Sequence, residues 1–341
     1  MFIIRGRNIN IVYPRGLRLF EQMNYSLTDT RNGPAMVIPE PVSTHYDRPQ
    51  ERVLFDAQRD ANPFFHLVES LWMLNGLQDV ATLAYYVPRM TQYSDDGITL
   101  HGAYGHRWRK HFPFDQLEVV IGMLNDDKTT RRAVLSMWDA DNDLNVMSKD
   151  LPCNVMILFQ VDAENALNMT VFNRSNDLIF GAYGANVVHL SMLHEYVWGH
   201  LTDSSIRMGW YEQVSANTHI YQTDWKKVEL ARFVPDPYEN STLDIVPLVA
   251  DKDSFNDELS HVMLDLSIRH VVSHSARAYR SVFFSRVVIP MTDAYKMYRN
   301  DDVLSAVSSL DLAIAQYGPI DWLVAGRQWM VRRHDRRLNH G

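Results

Sequence analysis

From Pro63 to Leu74 apolar side chains stand at nearly every position around the helical turn: Phe64, Phe65, Leu67, Val68, Leu71, Trp72 and Leu74. That distribution predicts a helix buried on most of its circumference, opened by a first-turn proline and closed before Gly76. Glu69 falls inside this apolar set, where a carboxylate is costly unless it is paired or has a chemical task. Ala35–His45 reads as a strand interrupted by Pro39 and Pro41, and Ala133–Trp138, Val155–Val161 and Leu167–Phe172 read as further strands. Gln116–Leu124 and the largely apolar Ala185–Leu201 have helical patterns, and Ile206–Val214 is again strand-like. Residues 1–30 mix short apolar runs with turns and predict little. Beyond about residue 226 a proline-containing connector leads to helical segments at Leu259–Arg269 and Val303–Ala315.

This order predicts an α+β protein, with a central mixed sheet covered by helices and a helical C-terminal extension. Neither a repeat nor a Gly/Ser linker divides it, so one domain over residues 1–341 is expected. Its core would run over about 28–225, with a divergent helical part over about 226–341.

The remaining composition narrows the function. No apolar run approaches the roughly 20 residues a membrane helix needs, and the first residues do not resemble a secretory segment. A single cysteine among 341 residues cannot form an internal disulfide, which fits a reducing cytoplasm. The net charge of −8 argues against stable nucleic-acid binding but permits a local cationic pocket. Arg131-Arg132 could belong to such a pocket or to a solvated turn, and the Arg332–Arg337 cluster is expected to be solvated. Neither His194-Glu195…His200 nor the His270/His274 pair makes a convincing metal motif, so no metal is predicted.

Cys153 is either a buried filler or a nucleophile. Asn173-Arg174-Ser175-Asn176-Asp177, some twenty residues on, favours the second, because a nearby guanidinium lowers a thiol's pKa. Arg174 and Ser175 could also grip a phosphate.

Glu69-Ser70-Leu71-Trp72-Met73-Leu74-Asn75-Gly76, Tyr104-Gly105-His106-Arg107-Trp108-Arg109, Thr130-Arg131-Arg132, Pro152-Cys153, Arg174-Ser175-Asn176-Asp177 and His219-Ile220-Tyr221 follow one another over residues 31–225. In that order they resemble the thymidylate synthase and pyrimidine hydroxymethylase family. The resemblance implies a thymidylate synthase-like fold and a pyrimidine nucleoside monophosphate substrate, with 5,10-methylenetetrahydrofolate as the one-carbon source. Cys153 would add to C6 of the base, Glu69 would move protons through water at C4 and C5, and Tyr104 would assist loss of the C5 proton. Asp177 would face the folate with Glu69 beside it. Arg31, Arg174 and Ser175 would hold the 5′-phosphate, joined by Arg131 and Arg132 from the partner subunit of a homodimer. His219 and Tyr221 would contact the sugar.

Several departures point within the family. Synthases place tryptophans between the Glu69 and Tyr104 segments, whereas Asn75–Arg107 has none and carries Tyr93-Ser94-Asp95-Asp96. Asn154 replaces the histidine usual after the nucleophile, the apolar synthase tail is not matched, and Asn176 and Phe180 resemble a phage hydroxymethylase. A wetter site would send water to the exocyclic methylene, giving a 5-hydroxymethyl nucleotide of the kind used in hypermodified DNA. The alternatives are a divergent synthase making dTMP from dUMP and a non-catalytic nucleotide-binding protein of the same fold. At the family's base-reading offset stands Ala185, with Asn186 one residue later. An amide can serve either base, so dCMP is only slightly favoured, on the hydroxymethylase resemblance, over dUMP or CMP.

Overall fold

A computed structural model describes residues 1–23, 25–229, 235–240, 242–268 and 279–340. Arg269, His270 and His274 lie outside the described residues. Among these residues the strands are β1 (Phe2–Gly6), β2 (Ser26–Thr30), β3 (Gly33–Ile38), β4 (Val42–Tyr46), β5 (Val134–Ser136), β6 (Asn154–Val161), β7 (Ala166–Asn173), β8 (Asn176–Asp177), β9 (Arg207–Ser215) and β10 (Thr218–Tyr221). They form a six-stranded sheet in the order β1-β4-β9-β7-β6-β5 and a four-stranded sheet in the order β2-β3-β10-β8. The larger sheet is mixed as expected: β1/β4 and β7/β9 are parallel, the other neighbours antiparallel.

The expected Ala35–His45 strand is two strands in different sheets. Neither Pro39 nor Pro41 can donate to a ladder, so the chain changes sheets there. Residues 1–30 hold more than their pattern suggested: β1, β2 and a helix Ile9–Gln22, capped by Asn8 and tolerating Pro14. Helices Pro63–Leu74 and Val187–Gly199 pack together, the second against β9 of the larger sheet, and both are buried on nearly all sides as their patterns predicted.

The C-terminal part is helical: Lys252–Ile268, Ile289–Arg299, Val303–Tyr317 and Asp321–His340. Trp329 packs edge-on against Phe64, with centroids 5.6 Å apart, so the last helix braces the back of Pro63–Leu74. Arg332, Arg333 and Arg336 all reach Asp60, at 3.0, 2.7 and 2.9 Å. The arginine cluster expected to be solvated is therefore in part docked; its partner lies far away in sequence. No described helix is long and apolar enough to cross a membrane.

Candidate active site

Asn62 starts the Glu69 helix by accepting hydrogen bonds from the N–H groups of Phe64 and Phe65. Glu69 lies two turns along, only 7% exposed, with one edge on a cavity of about 250 Å³. His189, from helix Val187–Gly199, lines the same cavity and brings Nε2 within 2.9 Å of Glu69 Oε2. The approach lies outside hydrogen-bond angles, so among the described residues neither that oxygen nor either His189 nitrogen has a hydrogen-bond partner. An unmet buried polar group costs about 1–3 kcal/mol. Three at one cavity wall mark it as a place for a polar ligand.

Tyr104 enters from the opposite segment. Gly105 is pressed so closely on the Glu69 helix that a Cβ there would sit 1.8 Å from the Met73 carbonyl oxygen. The rest of the motif holds this contact. Arg107 makes a two-pronged bond to Asp143, at 2.9 and 2.8 Å, and Arg109 reaches Asp115 at 3.0 Å and Tyr196 at 2.6 Å. Only Tyr104 of these faces the cavity. Burial raises its pKa well above the usual value, Cys153 and Asp150 add to the rise, and the backbone of Cys153 and Asn154 opposes it only in part. It therefore serves as a neutral hydroxyl.

Cys153 follows Pro152 at the entry to β6, where the β6/β7 register is irregular between Asn154 and Met156. Its neighbours order the charge around it. Arg174 donates to the carbonyls of Pro152 and Leu151 at 2.9 and 3.2 Å, and Arg31 to those of Ser148 and Lys149, both at 2.9 Å. The two cations thus clamp the loop leading to the thiol. The expectation of a lowered thiol pKa needs correcting. Burial pushes Cys153 upward, Asp150 and Asp177 add to the rise, and the charges of Arg174 and Arg31 offset only part of it. Alkylation of Cys153 by iodoacetamide should therefore keep accelerating up to pH 9 and beyond, and slow further in an Arg174→Ala variant. A plateau below pH 8 would contradict this.

Asp177 caps the next segment, accepting from Ile179 N at 2.9 Å and Phe180 N at 3.4 Å. Burial raises its pKa to about 6, helped by Asp224 and opposed by these N–H groups and Arg59. Leu178–Asn186 is a π-helical stretch before the helix expected to begin at Ala185. A π turn carries one residue more than an α turn, and both Ala185 and Asn186 line the cavity.

The cavity thus unites Glu69, Tyr104, Cys153, Asp177 and Asn186. Asp150, Asn176 and His189 line it too and were not singled out as site residues; Asp150 has its carboxyl pushed upward by burial. His219 adjoins it, paired with Asp177 across β10 and β8. Ser175 Oγ and His219 Nδ1 lie 3.5 and 3.0 Å from Asn217 Oδ1, and Tyr221 accepts from Asn32 at 3.2 Å. Burial lowers the His219 pKa, favouring the neutral ring. Arg131 and Arg132 are exposed on the turn before β5 and line no part of the cavity of their own chain. Where synthases place tryptophans, Asp95 receives Ser148 Oγ at 2.6 Å and Lys149 N at 3.2 Å, joining the loop that Arg31 clamps.

A family model described as thymidylate synthase matches residues 43–270. The chain belongs to the thymidylate synthase family. Within it, the chain is 47% identical to a deoxyuridylate hydroxymethyltransferase of Pseudomonas phage M6, over 98% of this chain and 95% of that protein. Proteins of the same name from Bacillus phage SP01 and Delftia phage PhiW-14 are 33% and 32% identical. Those two matches cover 67% and 58% of this chain and 62% and 60% of the relatives. The thymidylate synthase match runs beyond residue 225, where the resemblance had been expected to end.

Proposed function

We propose that this chain is a folate-dependent hydroxymethylase of dUMP. Near-full-length similarity to a protein named deoxyuridylate hydroxymethyltransferase carries the reading, and the cavity contains residues suited to each step. The slight lean to cytosine rested on resemblance alone; the names of three relatives favour uracil.

In this reading Cys153 Sγ forms a bond to C6 of the base, and charge moves through C5 to O4, beside Glu69 and His189. Arg31, Arg174 and Ser175 take the phosphate, and His219 with Tyr221 the sugar. The one-carbon donor is 5,10-methylenetetrahydrofolate, which supplies an electrophilic methylene. Asp177 suits it, because the carboxylate has capacity to accept from the donor-rich edge of a pterin. C5 takes that methylene, Tyr104 relays the C5 proton to solvent, and tetrahydrofolate departs with the electron pair of the carbon–nitrogen bond that breaks. Glu69 then orients a water whose oxygen bonds to the exocyclic methylene carbon of the nucleotide. The C5–C6 double bond re-forms as the C6–S bond breaks. Covalent catalysis and a placed base divide the reaction into accessible steps. If ionised Asp177 is required, kcat/KM should fall as pH drops through about 6 and an Asp177→Asn variant should lose that acidic limb; an unchanged limb in the variant would exclude this role.

The active form proposed is a single-domain subunit paired as a homodimer in the cytoplasm. The larger sheet supports pairing: Met156 and Phe172 are cross-strand neighbours, each 39% exposed, beside Val134. Arg131 and Arg132 stand next to that face and would reach the partner's phosphate site. Mixing Cys153→Ala chains with Arg131→Ala/Arg132→Ala chains should restore activity through one hybrid site per dimer; inactivity of verified heterodimers would contradict shared sites. The hydroxymethylase reading itself is tested by following folate absorbance during dUMP turnover. No dihydrofolate should form, because no hydride leaves the folate, and stoichiometric dihydrofolate would indicate a synthase.

A further inference from the structure

We propose that Asn186 reads the base through an amide whose orientation is locked by a relay of side-chain amides, Gln213–Asn176–Asn186, and that this lock excludes cytosine. The inference rests on the uracil reading above and adds the device that enforces it.

The relay begins at a group that can only accept. The Ala182 carbonyl takes a hydrogen bond from Gln213 Nε2 at 3.0 Å, and the same nitrogen reaches the Tyr46 hydroxyl at 2.9 Å. Gln213 must therefore turn Oε1 toward Asn176. Asn176 Nδ2 donates to that oxygen at 3.5 Å and to Ser215 Oγ at 3.2 Å. Its own Oδ1 is left to accept from Asn186 Nδ2, at 3.1 Å. Thus one backbone carbonyl sets the polarity of three amides in turn, and the last of them lines the cavity.

Burial makes the setting rigid. Asn176, Asn186, Gln213 and Ser215 are each no more than 5% exposed. Turning any one amide would oppose donor to donor and acceptor to acceptor where water cannot compensate. Gly181 also belongs to the device, since a Cβ there would lie 2.6 Å from Asn176 Oδ1.

The consequence is specificity. Uracil presents an N3–H donor beside the O4 acceptor, whereas cytosine presents an N3 acceptor beside an amino donor. A freely turning amide pairs with both; a locked amide matches one and opposes the other. Asparagine at position 186 alone would not discriminate. Asn176 and Gln213 are positioning residues that make it do so.

The test is equilibrium binding of dUMP and dCMP, without folate, to the full-length protein. Wild type should bind dUMP at least about tenfold more tightly, the value of one mismatched buried hydrogen bond. Asn176→Ala should bring the two affinities within about threefold of each other. Asn176→Asp, which still only accepts from Asn186, should keep the preference. Gln213→Met, which breaks the relay from its other end, should behave like Asn176→Ala and serves if that variant does not fold. Equal losses for both nucleotides, with the ratio unchanged, would overturn the relay, as would a wild type that does not distinguish them. Neither result bears on whether turnover adds a hydroxymethyl group, which the product alone decides.

Discussion

A Cys153→Ala variant should lose turnover by about 10⁴-fold or more and still bind dUMP within about threefold of wild type. The two effects separate because the thiol and the phosphate-binding groups are different parts of the site. Arg174 and Arg31 hold loop carbonyls through fixed bonds that do not involve the Cys153 side chain. Initial rates together with calorimetric titration of dUMP measure both. Near-normal turnover would exclude covalent addition at C6. Loss of binding in step with turnover would show that the substitution had disturbed the loop instead.

Glu69→Gln should lower kcat by about 10²–10³-fold with little change in KM. Glutamine keeps the size and one acceptor of the buried side chain but cannot take a proton from water. The nucleotide should therefore reach its Cys153-linked stage and accumulate there, detectable as added mass on the denatured protein. His189 lies 2.9 Å from this carboxylate, so His189→Phe should slow the same step without adding or removing phosphate contacts. A Glu69→Gln enzyme with unchanged kcat would remove Glu69 from water activation.

Local motifs made the chemistry legible because each of Glu69, Tyr104, Cys153 and Asp177 sits in a segment of characteristic residues, and the cavity unites all four. Their surroundings were less legible for physical reasons. His189 occurs in a helix that is apolar nearly throughout, and only packing against the Glu69 helix shows what it meets. The thiol pKa was expected to fall because the Arg174-Ser175 segment would bring a guanidinium beside it, but burial depends on tertiary enclosure and outweighs that charge. Asn186 looked one residue out of place because the family's offset, counted along the sequence, falls on Ala185, whereas the π-helical Leu178–Asn186 stretch brings both residues to the cavity. The same holds for the fold. Alternation and apolar runs marked β5, β6, β7, β9 and two central helices, but left β1 and β2 unseen, and Pro39 and Pro41 did not reveal that β3 and β4 join different sheets. The basic face of Asp321–His340 read as solvated because its partner Asp60 lies far along the chain.

Mass analysis of the nucleotide product separates a hydroxymethylase from a synthase. The protein is supplied with dUMP and 5,10-methylenetetrahydrofolate, and the product is compared with authentic 5-methyl and 5-hydroxymethyl nucleotides. The product should be 5-hydroxymethyl-dUMP, heavier than dTMP by one oxygen atom, with that oxygen drawn from labelled water. A product identical to dTMP, carrying no label, would contradict the hydroxymethylase reading and make the protein a thymidylate synthase.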